Sequence, residues 1–167
     1  MEVLRQRADR VLKLALLDTT PIPETPEIAA TREPQIVAAR AGRLEEVIRE
    51  EHLPNCFASG ASSYAHKSTV LDMARDLGPA VFVRQSRALQ RRKDQQATLR
   101  DARLPTLLLC GRHDKLCSVK RHQSMAGLVA GAALEVIDDA AHFPTLEQPE
   151  ATTEALQRWL SGTLLLT

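Results

Sequence analysis

The stretch LPTLLLCGRHDKLCS, residues 104–118, decides the fold. Within it TLLLC (106–110) is a continuous apolar run, the pattern of a strand buried on both faces of a parallel sheet. Asp114 follows four residues past Cys110, the end of that run. Downstream, SVKRHQSMAGLVAG (118–131) reads as a helix ending near glycine, and ALEVID (133–138) as a second strand. QPEATTEALQRWL (148–160) is a well-signalled helix. Pro149 suits its first turn, Glu150 its N-terminal dipole, and Ala151, Ala155, Leu156 and Trp159 form an apolar stripe. Strand, helix, strand, helix predicts a right-handed parallel βαβ unit.

Toward the N-terminus, MEVLRQRADR (1–10) reads as a polar helix. It lacks the apolar centre of a signal peptide. LKLALLDTT (12–20) is an apolar run stopped by a turn, which predicts a buried strand near 13–17. The prolines of PIPETPE (21–27) then break the chain. From there to about residue 100 the periodicity is helical, interrupted at Gly42 and by the PNCFASGASS loop (54–63). Leu44, Val47 and Ile48 share one helix face, as do Val70, Met73, Ala74 and Leu77 before Gly78-Pro79. Residues 80–100 read as one long polar helix. The expected organisation is a core helix and strand at 1–19, a helical insertion at 20–100, and a second core part at 101–167.

Composition narrows the function classes. The chain has 167 residues, 44% hydrophobic and 26% charged, ordinary values for a globular domain with a real core. Aromatic residues make up only 3%, so the core must be built from Leu, Val, Ile and Ala. A net charge of +1 offers no field for nucleic acid or an anionic membrane, and no apolar run approaches the length of a membrane span. Three cysteines, Cys56, Cys110 and Cys117, make no disulfide framework, which suggests a reducing, cytoplasmic setting.

The candidate chemistry lies at the strand ends. In an open parallel sheet, functional groups collect in loops at the carboxyl ends of the strands. His142 lies five residues past Ile137, so its loop and that of Asp114 should reach the same sheet edge. There a carboxylate can accept the Nδ1–H of the imidazole and leave Nε2 to act as base and then acid. The bland alternative, a solvated or capping Asp and a solvated His, fits a lone residue better than a matched pair.

These residues resemble the α/β-hydrolase fold family. That family sets its acid in a G-x-x-D turn, here Gly111-Arg112-His113-Asp114, and its histidine after the last strand, trailed by E-x-P-E, here Glu147-Gln148-Pro149-Glu150. EVLRQRADRVLKLALLDTTP (2–21) is similar to the helix and strand that follow the family's nucleophile. The resemblance spans essentially the whole chain. It implies an α/β architecture of about three parallel strands with flanking helices, a helical cap at 20–100, and an acyl- or ester-hydrolase chemistry using Asp114 and His142.

One part of the pattern is missing. The family's nucleophile sits in a G-x-S-x-G elbow, and these 167 residues contain none. Ser59, Ser62 and Ser63 lie in a cap loop with no strand before them. Cys110 ends a buried strand and reads as inert core, and a Cys117–His142 pair is chemically possible but needs a geometry that nothing in the sequence supplies. The expectation is a truncated member that keeps the Asp–His pair and is inactive as an isolated chain. The alternative is a non-catalytic binding protein of hydrolase descent. A small-molecule substrate would enter the completed site, and the first strand's exposed edge invites a second copy or a partner chain.

Other groupings are weaker. His113, Asp114, Cys117 and His122 match no standard zinc spacing, so no metal and no cofactor are expected. Arg84, Arg87, Arg91, Arg92 and Lys93 read as a solvated helix face without the aromatic residues that stack on bases. Asp138 and Asp139 read as the end of a strand.

Overall fold

The structure is a computed structural model that describes residues 1–60 and 63–162. In chain order the elements are α1 (Glu2–Gln6), β1 (Leu14–Leu17), α2 (Pro26–Ala38), α3 (Leu44–Val47), α4 (Ser63–Gln90), α5 (Gln96–Arg100), β2 (Thr106–Gly111), α6 (Val119–Ala126), β3 (Ala133–Ile137), α7 (Pro144–Glu147) and α8 (Pro149–Ser161). They form two compact units. One comprises residues 1–21, 56–58 and 94 onward, and the other 22–55 and 59–93.

The first unit is built on a parallel sheet of order β1-β2-β3. Leu14 to Leu17 face Thr106 to Leu109, and Leu107 to Gly111 face Ala133 to Ile137. The strands lie where the apolar runs predict them. β2 is buried along its whole length, which is why its sequence lacks alternation. One sheet face packs Leu14, Leu16 and Leu108 against Leu4, Leu99, Met125 and Val129. The other packs Leu107, Leu109 and Ile137 against Ala140 and Ala155, with Leu156 and Trp159 alongside.

Two helices of this unit depart from their expected form. The N-terminal helix stops at Gln6 and tightens to a 3₁₀ turn at Ala8–Arg10. In α8 the inward position is Thr152 rather than Ala151. Its hydroxyl donates to the Pro144 carbonyl at 3.0 Å, so a polar residue takes a core position at no loss of hydrogen bonding. The far end of α8 is closed by Lys13, whose Nζ donates to the carbonyls of Trp159, Leu160 and Gly162 at 3.2, 2.6 and 2.7 Å.

The second unit is helical throughout. α2 begins on a Thr25 cap and runs through Pro34, and the turn at Gly42 has φ +83°, a conformation glycine supplies without penalty. α4 kinks at Gly78, ahead of Pro79. The long polar helix expected over 80–100 is broken. It ends at Gln90, and α5 restarts at Gln96, whose amide donates to Asp94 Oδ1 at 2.7 Å. The packed face of α4 also differs from the expected stripe. Met73 and Leu77 are exposed, whereas Leu71 and Ser86 are buried, with Ala74 and Phe82 half-buried between them at helical spacing. No helix among the described residues is long and apolar enough to cross a membrane.

Candidate active site

β2 and β3 are adjacent and parallel, so the loops leaving their carboxyl ends emerge side by side. The first loop turns at Gly111. A Cβ there would stand 2.1 Å from the Ala141 carbonyl oxygen and 2.5 Å from that of Ala140. The glycine of the G-x-x-D turn is therefore required by the backbone of the histidine loop, which lies where a side chain would go. Arg112 N then donates to Ile137 O and His113 N to Ala140 O, both at 2.9 Å, fastening the two loops together.

This arrangement joins the two candidate residues. His142 Nδ1 lies 3.0 Å from Asp114 Oδ2. A carboxylate only accepts, so Nδ1 carries the proton and Nε2 presents a lone pair. The Asp114 side chain is fully buried, whereas that of His142 is 23% exposed. The other Asp114 oxygen accepts from the amides of Leu116 and Cys117 at 2.7 and 2.9 Å. Burial works to raise the Asp114 carboxyl. The bonds from His142 and from the two amides outweigh it, and the group lies below its ordinary value.

Two further carboxyls surround the pair, and neither is singled out by the sequence reading as a site residue. Asp18 ends β1 with φ +42°, and its Oδ1 accepts from Gly111 N at 3.0 Å. Burial, with the neighbouring charge of Asp114 and a side-chain hydrogen bond to it, pushes Asp18 up to about 8, against the opposing bond from Gly111. Near neutral pH Asp18 is thus mostly protonated. Glu147 bonds the amides of Ala58, Ala141 and Phe143. Its only sequence signal is its place in E-x-P-E; Asp18 carries none beyond ending a strand.

The remaining candidates fall elsewhere. Asp114, Cys117 and His142 bring potential metal-ligand atoms within 4.8 Å of one another. That set fits a metal poorly. Asp114 is committed to three hydrogen bonds, and the Cys117 thiol is pushed up to about 11 by burial and by Asp114. His113 is exposed, and His122 is wholly buried in a structural role. Its Nε2 accepts from Thr19 N at 3.3 Å, and its Nδ1 donates to the Ser118 carbonyl at 3.2 Å. Cys56 and Cys110 are buried, and the three cysteines form no disulfide. Ser59 is exposed; Ser62 lies outside the described residues, as does the side chain of Ser63. Asp138 pairs with Arg112, and Asp139 makes a left-handed turn at φ +55°. In the basic run, Arg87 pairs with Glu33 and Arg92 donates to the Ile22 carbonyl at 2.9 Å.

No family model matches the chain. Among curated proteins, Protein ABHD8 of Homo sapiens is 39% identical over 57 residues, which is 34% of this chain and 13% of that protein. Among solved structures, a thermophilic esterase from Thermogutta terrifontis superposes with a TM-score of 0.82 at 28% identity, over 94% of this chain and 58% of that one. The enol-lactonase from Burkholderia xenovorans LB400 gives 0.75 at 24%, over 96% and 60%. A bromoperoxidase from Bacillus anthracis gives 0.76 at 16%, over 96% and 63%, a likeness of fold alone. The chain spans less than two thirds of each of these structures. A parallel three-stranded sheet with its neighbouring helices, superposing this closely on such structures, is the α/β-hydrolase fold over the part of it that the chain spans.

Proposed function

We propose that Asp114 and His142 are the acid and base of an acyl- or ester-hydrolysing site. Its serine would be supplied by sequence outside these 167 residues. The observation that carries this reading is the 3.0 Å Nδ1–Oδ2 contact at two parallel strand ends, with Asp114 buried and His142 partly exposed. In that geometry Asp114 fixes the tautomer and stabilises the imidazolium. His142 Nε2 takes the proton of the attacking hydroxyl and returns it to the leaving group. The esterase and enol-lactonase among the similar structures favour a carbonyl ester over other substrates.

In the same reading, the helical unit 22–55 and 59–93 is the cap that shapes access for a small molecule. β1 pairs with β2 on one side only among the described residues, and its other edge is the place where a further strand, from this protein or a partner chain, would add. A non-catalytic binding protein of hydrolase descent is the second reading, and a longer chain that still holds no G-x-S-x-G would favour it.

Two measurements together test the proposal. The 167-residue chain should hydrolyse a short-chain nitrophenyl ester no faster than its His142→Ala variant. The in-frame coding sequence upstream of Met1 should contain G-x-S-x-G, and a chain extended to include it should gain turnover that His142→Ala abolishes. Turnover by the 167 residues alone that His142→Ala removes would reveal a nucleophile inside them. An upstream sequence without the elbow, and an inactive extended chain, would favour the binding protein.

A further inference from the structure

We propose that Glu147 is a positioning residue whose carboxylate sets the place of His142 by gripping the backbone on both sides of it. Oε1 accepts from Ala141 N at 2.8 Å and from Phe143 N at 3.3 Å. These are the residues directly before and after the histidine. Oε2 accepts from Ala58 N at 2.7 Å, which ties the 56–58 segment to the same carboxylate. The amide of His142 itself donates to the Cys56 carbonyl at 3.0 Å. Three consecutive amides of the loop are thus committed, two to one carboxylate and one to the segment that the same carboxylate holds. With its backbone fixed this way, the Cα–Cβ bond of His142 is aimed so that a side-chain rotamer can hold Nδ1 on Asp114.

The placement of Glu147 argues for a specific use. It lies close enough to Asp18 and Cys56 for its charge to raise both, so it adds a negative group to a neighbourhood that already holds Asp114. Amide donors directed at both of its oxygens offset that cost. Glutamine would not replace it. Its carboxamide has one acceptor oxygen, and its NH₂ would face an amide N–H in place of an acceptor. The consequence for catalysis rests on the reading of His142 as the base, but the geometry does not, so the test reads the geometry directly.

The experiment is NMR on the 167-residue chain. In the unsubstituted chain, the amide signals of Ala58, Ala141 and Phe143 should titrate at one common midpoint, that of the Glu147 carboxyl carbon. In Glu147→Gln, the downfield Nδ1–H signal of His142 should disappear or broaden. The variant's one remaining acceptor oxygen can serve Ala58 or the Ala141 and Phe143 pair but not both, so exchange of at least one of these three amides should accelerate by about tenfold or more, the scale of one lost charge-assisted bond. Glu154→Gln, on the exposed face of α8, should change neither. The proposal is overturned if the three amides do not share the carboxyl midpoint, or if Glu147→Gln keeps both the Nδ1–H signal and its amide protection. Should Glu147→Gln fail to fold, the titration of the unsubstituted chain decides alone. An intact Nδ1–H signal in a chain that never acquires esterase activity would count against the hydrolase reading and leave the role of Glu147 standing.

Discussion

Gly111→Ala tests whether the sheet end and the histidine loop form one tightly fitted unit. The nearest atoms to the new Cβ would be backbone: Ala141 O at 2.1 Å, Ala140 O at 2.5 Å and Ala140 C at 2.6 Å. Ordinary contact begins at 3.4 Å, so one side must retreat by 3.4 − 2.1 = 1.3 Å. If the histidine loop yields, the 3.0 Å Nδ1–Oδ2 contact stretches past hydrogen-bonding range, because His142 directly follows the displaced peptide. If β2 yields, the Gly111 N bond to Asp18 goes instead. Overpacking costs about 1–3 kcal/mol, and the lost bond about 1.5–3 kcal/mol if its acceptor is the Asp114 carboxylate or about 0.5–1.5 kcal/mol if it is protonated Asp18, which together give roughly 1.5–6 kcal/mol. In a completed enzyme, a displacement of about 1 Å at the base would also lower the rate about 10²-fold. Urea unfolding followed by far-UV circular dichroism gives the stability, and the His142 Nδ1–H signal reports the site. Gly127→Ala is the control: it sits at the end of α6 with φ −65°, and its nearest neighbour, Ser124 O, is 3.5 Å away. It should be neutral within about 0.5 kcal/mol. A Gly111→Ala chain as stable as the control variant, with its Nδ1–H signal unchanged, would refute the fitted-unit argument.

Two further outcomes follow from the carboxyl and thiol environments. Asp18, ordinarily near 3.8, is pushed up to about 8, so the folded chain holds a proton that the unfolded chain has released between those values. Stability from this group is therefore full below pH 4 and falls as pH rises toward 8, by at most about 1.4 kcal/mol per pH unit and less for its partial exposure. Asp114 has the opposite sign: its contribution is present above 3.8 and lost in acid. Asp18→Asn keeps an acceptor for Gly111 N and tolerates the left-handed φ. It should flatten the decline between pH 4 and 8, and parallel stability curves for the two chains would contradict a raised Asp18 carboxyl. Cys117 is 8% exposed, and its thiol lies at about 11. Iodoacetamide at neutral pH should label the unfolded chain and spare Cys117 in the folded one. Rapid labelling that slows in His142→Ala would instead identify a Cys–His nucleophile.

The Asp114–His142 pair is legible in the sequence because a parallel sheet converts spacing into proximity. Once TLLLC and ALEVI are read as neighbouring parallel strands, Asp114 and His142 have to emerge together, and the structure brings them to 3.0 Å. The helical faces are less legible for a physical reason. In α4 and α8, Ser86 and Thr152 occupy buried positions, whereas Met73, Leu77 and Ala151 face outward, so an apolar count aims the helix wrongly. The supporting residues are hardest to see, since they act on backbone. Glu147 grips amides, one of them 89 residues distant in sequence, and Gly111 is needed because two carbonyls occupy the space of its missing side chain. A peptide group looks alike at every position, so no residue pattern marks these partners. A sequence can therefore carry the family's acid and histidine motifs and still misplace the imidazole. In the proposed reading the placing of the pair rests on the backbone contacts of Gly111, Asp18 and Glu147, so substitutions at those three residues test that placing directly, where replacing Asp114 or His142 would only remove the pair.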